Sequence, residues 1–472
     1  MAFQLSIHQF SKNQQPIFSD FMWTIKPQEN WAILGNIGTG KTFLLKLLAG
    51  LEFLSAKDGS LIFTDNLTQI DVEYISFSDD KKWIKRTDYY YQQRYYTTYS
   101  DDEFTLEDFL QVQALDIIQQ KKIKELLEKY TLNHLLTVPF IQLSNGQKNK
   151  AILIKAIQSS AQLFLLDNPF IGIDAKSRES IFQLIDTLIQ QGKPVIYTTN
   201  YPIFAASTTH VLTLKKNFKF AVENKKAISV PSYNRAISFI KKEQNTSLDQ
   251  IIELNHIFIS YHHKIVLDDI SWQVFKGEKW AIVGENGSGK STLMSLLYAD
   301  HPQAYKYDIQ LFGQPRNRQS IWEIKTRTGY LSPEFHLHFN EPLTVIETIG
   351  TGYTDTLTLL KKLNDNQLQY IESILEYFSM NKLRNRYFLS LSQGEQRLVL
   401  FLRAIIKQPE LLILDEPYQG LDEQTIARCN EWLCSNLQPT QTLIFTSHYS
   451  HEIPDIITHC LSLEKGKIIA NG

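Results

Sequence analysis

"KGEKWAIVGENGSGKSTLMSLLYA" occupies residues 276–299, and its centre, Gly284 to Ser291, reads G-x-x-x-x-G-K-S. The apolar run before the centre, "WAIV", has the character of a buried strand, and the run after it, "TLMSLLYA", that of a helix. A glycine-rich turn in that context lets backbone N–H groups wrap a phosphate, and the helix N-terminus adds partial positive charge. Gly284, Asn286, Gly287 and Gly289 would line the turn. Lys290 would reach the β- and γ-phosphates of a nucleotide such as ATP, and the hydroxyl of Ser291, followed by Thr292, would hold Mg²⁺.

The same wording occurs 249 residues earlier, as "PQENWAILGNIGTGKTFLLKLLAG" from Pro27. There Gly35, Gly38, Gly40, Lys41 and Thr42 take the corresponding places, and Asn36, where the later copy has Glu285, would line the turn with them. Three further pairs keep an offset of 248: "LSNGQKNKAILIKAI" with "LSQGEQRLVLFLRAI", "LFLLDNPFIGID" with "LLILDEPYQGLD", and "VIYTTNYP" with "LIFTSHYS". Several blocks in constant register mean one domain present twice. The expected organisation is a first domain over 1–222, a polar linker over 223–247 and a second domain over 248–472. The tyrosine-rich run "YYYQQRYYTTYSDDE", residues 89–103, reads as an exposed loop, with partner binding or base stacking as the alternative.

Bulk properties agree with a multidomain globular chain: 472 residues, 43% apolar, 21% charged and a net charge of −2. That balance leaves no electrostatic footprint for nucleic acid. The three cysteines, Cys429, Cys434 and Cys460, lack zinc-ligand spacing, and we expect free thiols in a reducing compartment with no metal or redox role. No apolar run is long enough to span a bilayer, and the opening "MAFQLSIHQF" lacks the basic and apolar regions of a secretion signal, so a cytoplasmic protein is expected.

Asp167 and Asp415 end the two apolar strand-like runs. We expect each to lie on a strand beside the loop strand and to complete the Mg²⁺ shell with Thr42 or Ser291.

"LSNGQ" from Leu143 and "LSQGE" from Leu391 stand 23 residues before these acids, counting serine to aspartate. They resemble LSGGQ, the signature of ATP-binding-cassette (ABC) proteins. Phosphate loop, signature, D-[EN]-P, a following Asp174 or Asp422, and a late "TTN" or "TSH" occur in that family's order, twice. The chain is thus identified as a tandem ABC ATPase. The resemblance implies an α/β fold of two P-loop domains. Each would have a mostly parallel core sheet, an antiparallel edge subdomain and a helical subdomain bearing the signature. Ser144 and Ser392 read as helix starts, where a hydroxyl and free N–H groups make an anion site. The resemblance implies that Ser144 with Gly146, and Ser392 with Gly394, each cap the γ-phosphate held by the other half. It also offers Phe10 and Tyr261 as adenine-stacking rings, while packing in a core stays open for both. The glutamine that the family carries near "YISFSDD" (from Tyr74) and "YLSPEFH" (from Tyr330) is missing, and Gln92 or Gln93 would have to substitute.

In this family a carboxylate just after the strand aspartate polarises the attacking water, and a late histidine contacts the γ-phosphate. Glu416 and His448 match, whereas the first half carries Asn168 and Asn200 there. An amide cannot accept the proton of water. One competent and one degenerate site follow, with Lys290, Asp415, Glu416 and His448 as the catalytic set. The tandem layout and the W-A-[IV]-[LV]-G wording look most like molybdate-transport or photorepair ATP-binding proteins. That resemblance implies an ATP-driven motor on the cytoplasmic face of an integral membrane partner. The alternative is a soluble ABC ATPase acting in translation or DNA repair, and a third reading is an ATP-gated scaffold.

Overall fold

The computed structural model describes residues 3–12, 15–26, 28–36, 39–55, 57–63, 72–77, 104–140, 143–170, 172–173, 175–215, 219–225, 249–261, 264–298, 301–447, 449 and 452–471. Residues 226–247 of the expected linker and the tyrosine-rich run at 89–103, with Gln92 and Gln93, lie outside them, as do Gly38, Asp174 and His448; residues 223–225 are described, and the strand Phe220–Asn224 crosses the expected boundary after residue 222. The described residues fall into two compact units, one on each side of the segment 226–248.

In the first unit a six-stranded sheet runs in the order Val72–Ser76, Leu163–Asp167, Val195–Thr199, Trp31–Gly35, His210–Leu214, Phe220–Asn224. The second unit repeats it as Thr328–Leu331, Leu411–Asp415, Thr442–Thr446, Lys279–Val283, His459–Glu464, Lys467–Asn471. In each sheet the first five strands are parallel and the sixth is antiparallel. This is the expected α/β architecture. Strands buried on both faces read as continuous apolar runs, as Leu411 to Leu414 do; all four side chains are fully buried, each contributing about 2 kcal/mol by leaving water. A separate antiparallel sheet flanks each core: Phe3–Lys12, Gln15–Ile25 and Gly59–Phe63 in the first unit, and Gln250–Tyr261, Lys264–Phe275, Asp308–Leu311 and Gln314–Pro315 in the second. The join between the two sheets is duplicated to the side chain. Trp23 meets Trp31 edge-on at 5.3 Å and Trp272 meets Trp280 at 5.3 Å. The second ring of each pair stacks on a histidine, His210 or His459.

One expectation is corrected. The acid strands do not lie beside the loop strands. Val195–Thr199 intervenes in the first unit and Thr442–Thr446 in the second. Sequence neighbours in parallel sheets are joined by crossovers, so strand order cannot be read from chain order alone.

Helices follow where caps permit. Thr105 and Thr344 open the helices Leu106–Leu110 and Val345–Gly350 with capping boxes, and Asp116 and Asn364 open Ile117–Lys129 and Asp365–Tyr377 in the same way. Leu106–Leu110 and Ile117–Lys129 pack on the signature helix Asn145–Gln158, Val345–Gly350 packs on its counterpart Gln393–Ile405, and Asp365–Tyr377 packs on Val345–Gly350.

Candidate nucleotide site

Each phosphate loop leaves its strand and enters a helix, Lys41–Leu48 or Lys290–Leu297. The residues before these helices, Gly40 and Gly289, sit at φ +92° and +104° and place no side chain over the first turn. No side chain caps either first turn, which suits the approach of an anion. Gly289 has a second reason to be glycine: a Cβ there would lie 2.6 Å from Leu267 Cδ2 and 2.8 Å from Val266 O. Gly35 and Gly284 are as confined, with an added Cβ 2.7 Å from Leu214 O and 2.4 Å from Leu463 O. Gly287 at φ +80° has open space around it, which suits backbone approach to a ligand. Thr292 and Asn286 lie within these segments.

The lysines are buried and span their loops. Lys41 Nζ donates to Gly35 O at 2.5 Å and Asn36 O at 3.0 Å; Lys290 Nζ donates to Gly284 O at 2.8 Å and Glu285 O at 3.0 Å. Despite the intervening strand, the acids reach the loops. Thr42 Oγ1 donates to Asp167 Oδ1 at 3.1 Å.

The two acids have different surroundings. Asp167 is also bonded by Thr198 Oγ1 at 3.1 Å and, on its other oxygen, by Tyr74 OH at 3.0 Å. Burial pushes its carboxyl up, and the hydroxyls of Thr42, Tyr74 and Thr198 oppose that. Asp415 Oδ1 accepts from Thr446 Oγ1 at 2.6 Å, but its Oδ2 is buried with no hydrogen-bond partner among the described residues. Burial, and then the charge of Glu416, push its carboxyl up to about 6, opposed by the hydroxyls of Thr446 and Ser291. Tyr330 holds the register of Tyr74 but stacks on Tyr298 at 4.1 Å, and Ala49 is the residue after the first loop helix where Tyr298 follows the second. Without that ring, Tyr74 turns to the acid. The open oxygen of Asp415 beside the Ser291 hydroxyl is the hard-oxygen donor set that Mg²⁺ takes.

Glu416 and Asn168 occupy the same strained turn, at φ +47° and +56°. The N–H of each donates to a strand threonine, Thr446 Oγ1 at 2.9 Å or Thr198 Oγ1 at 2.7 Å. Glu416 is half-buried. The two threonines went unnoticed in the sequence, where the "TTN" and "TSH" blocks drew attention only to their last residues. Thr446→Val would leave Asp415 Oδ1 and the Glu416 N–H unpaired. We expect a loss of about 1–3 kcal/mol in the denaturant stability of the second unit. Unchanged stability would mean that solvent replaces the hydroxyl.

Ser144 and Ser392 cap the signature helices as expected. Gln147 N–H donates to Ser144 Oγ at 3.3 Å while Gln147 Oε1 accepts from Ser144 N–H at 2.9 Å. Glu395 closes the same box on Ser392. The fifth signature residue is thus a capping residue. Gly146 is buried, its added Cβ 2.7 Å from Ser177 Oγ, and Gly394 is buried in the matching place. Phe10 stacks on Phe43 at 4.2 Å, at the rim of the first unit's core. Tyr261 bonds His301 Nε2 through its hydroxyl. Both rings are half-buried.

A family model described as ABC transporter matches residues 18–171 and again 267–419. An uncharacterized ABC transporter ATP-binding protein of Schizosaccharomyces pombe is 32% identical over 96% of this chain and 96% of its own length. The ABC transporter ATP-binding protein ModF of Escherichia coli is 31% identical over 93% of this chain and 92% of its own. Among solved structures, one titled RNase-L Inhibitor covers 98% of this chain and 88% of its own with a TM-score of 0.57 at 17% identity, a likeness of fold.

Proposed function

Because the chain belongs to the ABC transporter family and carries its ATP-binding domain twice, we propose that it is the ATP-hydrolysing subunit of an ABC transporter, of the molybdate type that its tandem sequence resembles. It would sit at the cytoplasmic face of a separate membrane subunit; among the described residues no helix is long and apolar enough to cross a bilayer itself. Each half binds Mg·ATP through its loop lysine, its loop hydroxyl and its strand acid. The second half hydrolyses it. The first half retains it.

The carrying observation is the pair of matched turns at Glu416 and Asn168, alike in backbone and in threonine partner and different in the one group that can take a proton. Tyr74 adds to this by covering the Asp167 oxygen whose counterpart on Asp415 is open. ATP closes the halves, with Ser144 and Ser392 reading γ-phosphates, and hydrolysis at the second half releases them. That is a two-state switch biased by the γ-phosphate.

The partner is tested by holding the closed state with Glu416→Gln and isolating the protein in ATP. A stoichiometric integral membrane protein is the expected companion. Recovery of ribosomes or DNA, with no membrane protein, would replace the transporter reading by the soluble one.

A further inference from the structure

The signature helix Gln393–Ile405 carries a buried guanidinium to the back of the catalytic turn. Arg397 is 1% exposed. Its Nε donates to Pro417 O at 3.2 Å, Nη1 to Ser332 O at 2.7 Å, and Nη2 to Asp415 O at 2.9 Å and Glu416 O at 2.5 Å. Three consecutive carbonyls of the D-E-P turn and one from the segment after Tyr330 thus converge on one side chain. A planar fork of fixed donors suits such convergence, and lysine would not reproduce it.

Glu416 stands at φ +47°, a conformation a non-glycine residue keeps only when its surroundings over-determine it. Here they do. Thr446 holds the N–H of Glu416, and Arg397 holds its carbonyl and those on either side. These contacts fix the backbone of Glu416 and leave the direction of its carboxylate to follow from that backbone. Arg397 also draws on the neighbouring residue: Gln396 bonds His336 Nε2 at 3.0 Å and Phe388 O at 3.1 Å, fixing the same helix turn to the segment Pro333–His338.

The first half lacks this device. Asn149 stands in the place of Arg397 and reaches one carbonyl, Pro169 O at 3.0 Å. The loss accompanies Asn168, which has no proton to take and no need of aim.

We propose that Arg397 is a positioning residue for hydrolysis, holding the Glu416 backbone so that its carboxylate meets the attacking water. This rests on Glu416 being the base. It ties the aim of that base to the signature helix, so that a movement of the helix is felt at the carboxylate of the same half.

The test is the set Arg397→Gln, Arg397→Lys and each combined with Glu416→Gln, all in the full chain. Steady-state ATPase gives kcat and KM, and single turnovers measure the slow variants. Arg397→Gln is expected to lower kcat about 100-fold, the cost of misplacing a catalytic group by about 1 Å, with KM for ATP unchanged. Arg397→Lys should fall between it and the parent. In the Glu416→Gln background neither change should slow turnover further, because nothing remains to be aimed. A folded Arg397→Lys with parental kcat, a rise in KM alone, or losses that multiply with Glu416→Gln would each overturn the proposal. The Lys variant, which keeps the charge, carries the test if the Gln variant does not fold. A Glu416→Gln protein with undiminished turnover would instead refute the assignment of the base.

Discussion

Glu416→Gln is expected to reduce steady-state ATP hydrolysis by about 10²- to 10⁴-fold, the range that a positioned general base supplies, while leaving ATP binding intact. Glutamine keeps the size of the side chain and can still hydrogen-bond a water. It cannot accept the proton. The backbone at this position is fixed independently of the side chain, by Thr446 at the N–H and by Arg397 at the carbonyl, so the substitution should not disturb the turn. The matched experiment is Asn168→Ala. Asn168 shares the left-handed turn and the threonine contact, and its removal takes away no base. Turnover should change by much less than in Glu416→Gln. Activity would be followed as phosphate release under saturating Mg·ATP. Equal losses from the two substitutions would mean that both halves hydrolyse and that the asymmetry of the turns has no catalytic meaning.

The repeat made much of this site legible. Constant register between the halves places both loops, both signature serines and both strand acids, and each stands at a terminus of its element. What stayed hidden has physical causes. Thr198 and Thr446 read as ordinary strand residues, because a β-branched side chain is what a strand favours. Only the sheet order puts them against the acids; the strand that carries them is the one wrongly left out from between acid and loop. Tyr74 and Tyr330 are the same residue in the same register, yet one bonds an aspartate and the other stacks on a ring. The cause lies elsewhere in the chain, at Ala49 and Tyr298. Arg397 follows the signature by two residues and looks like a cation on a helix surface, since its partners are backbone carbonyls that no side-chain pattern reports.

Lys290→Met should produce the other large effect, and it separates the two halves by a different route. The Lys290 amine is buried and reaches back across its loop to two consecutive carbonyls at the loop's start, 2.8 Å from Gly284 O and 3.0 Å from Glu285 O. A phosphate entering the loop meets a fixed positive charge there, in surroundings too dry for solvent to replace it. Loss of that charge is expected to lower kcat/KM by about 10²- to 10³-fold, as loss of one aimed charge-stabilising group does in other enzymes. Lys41 sits alike in its own loop, so Lys41→Met removes the same interaction from the half that lacks a base. Its signature should be in retention: nucleotide held through rapid gel filtration should be nearly lost, because the emptied loop is the one that retains it, whereas the Lys290→Met protein keeps the slowly released nucleotide and loses turnover. If Lys41→Met instead abolishes turnover and spares retention, the first half is the hydrolytic one and the roles assigned to the two loops must be exchanged.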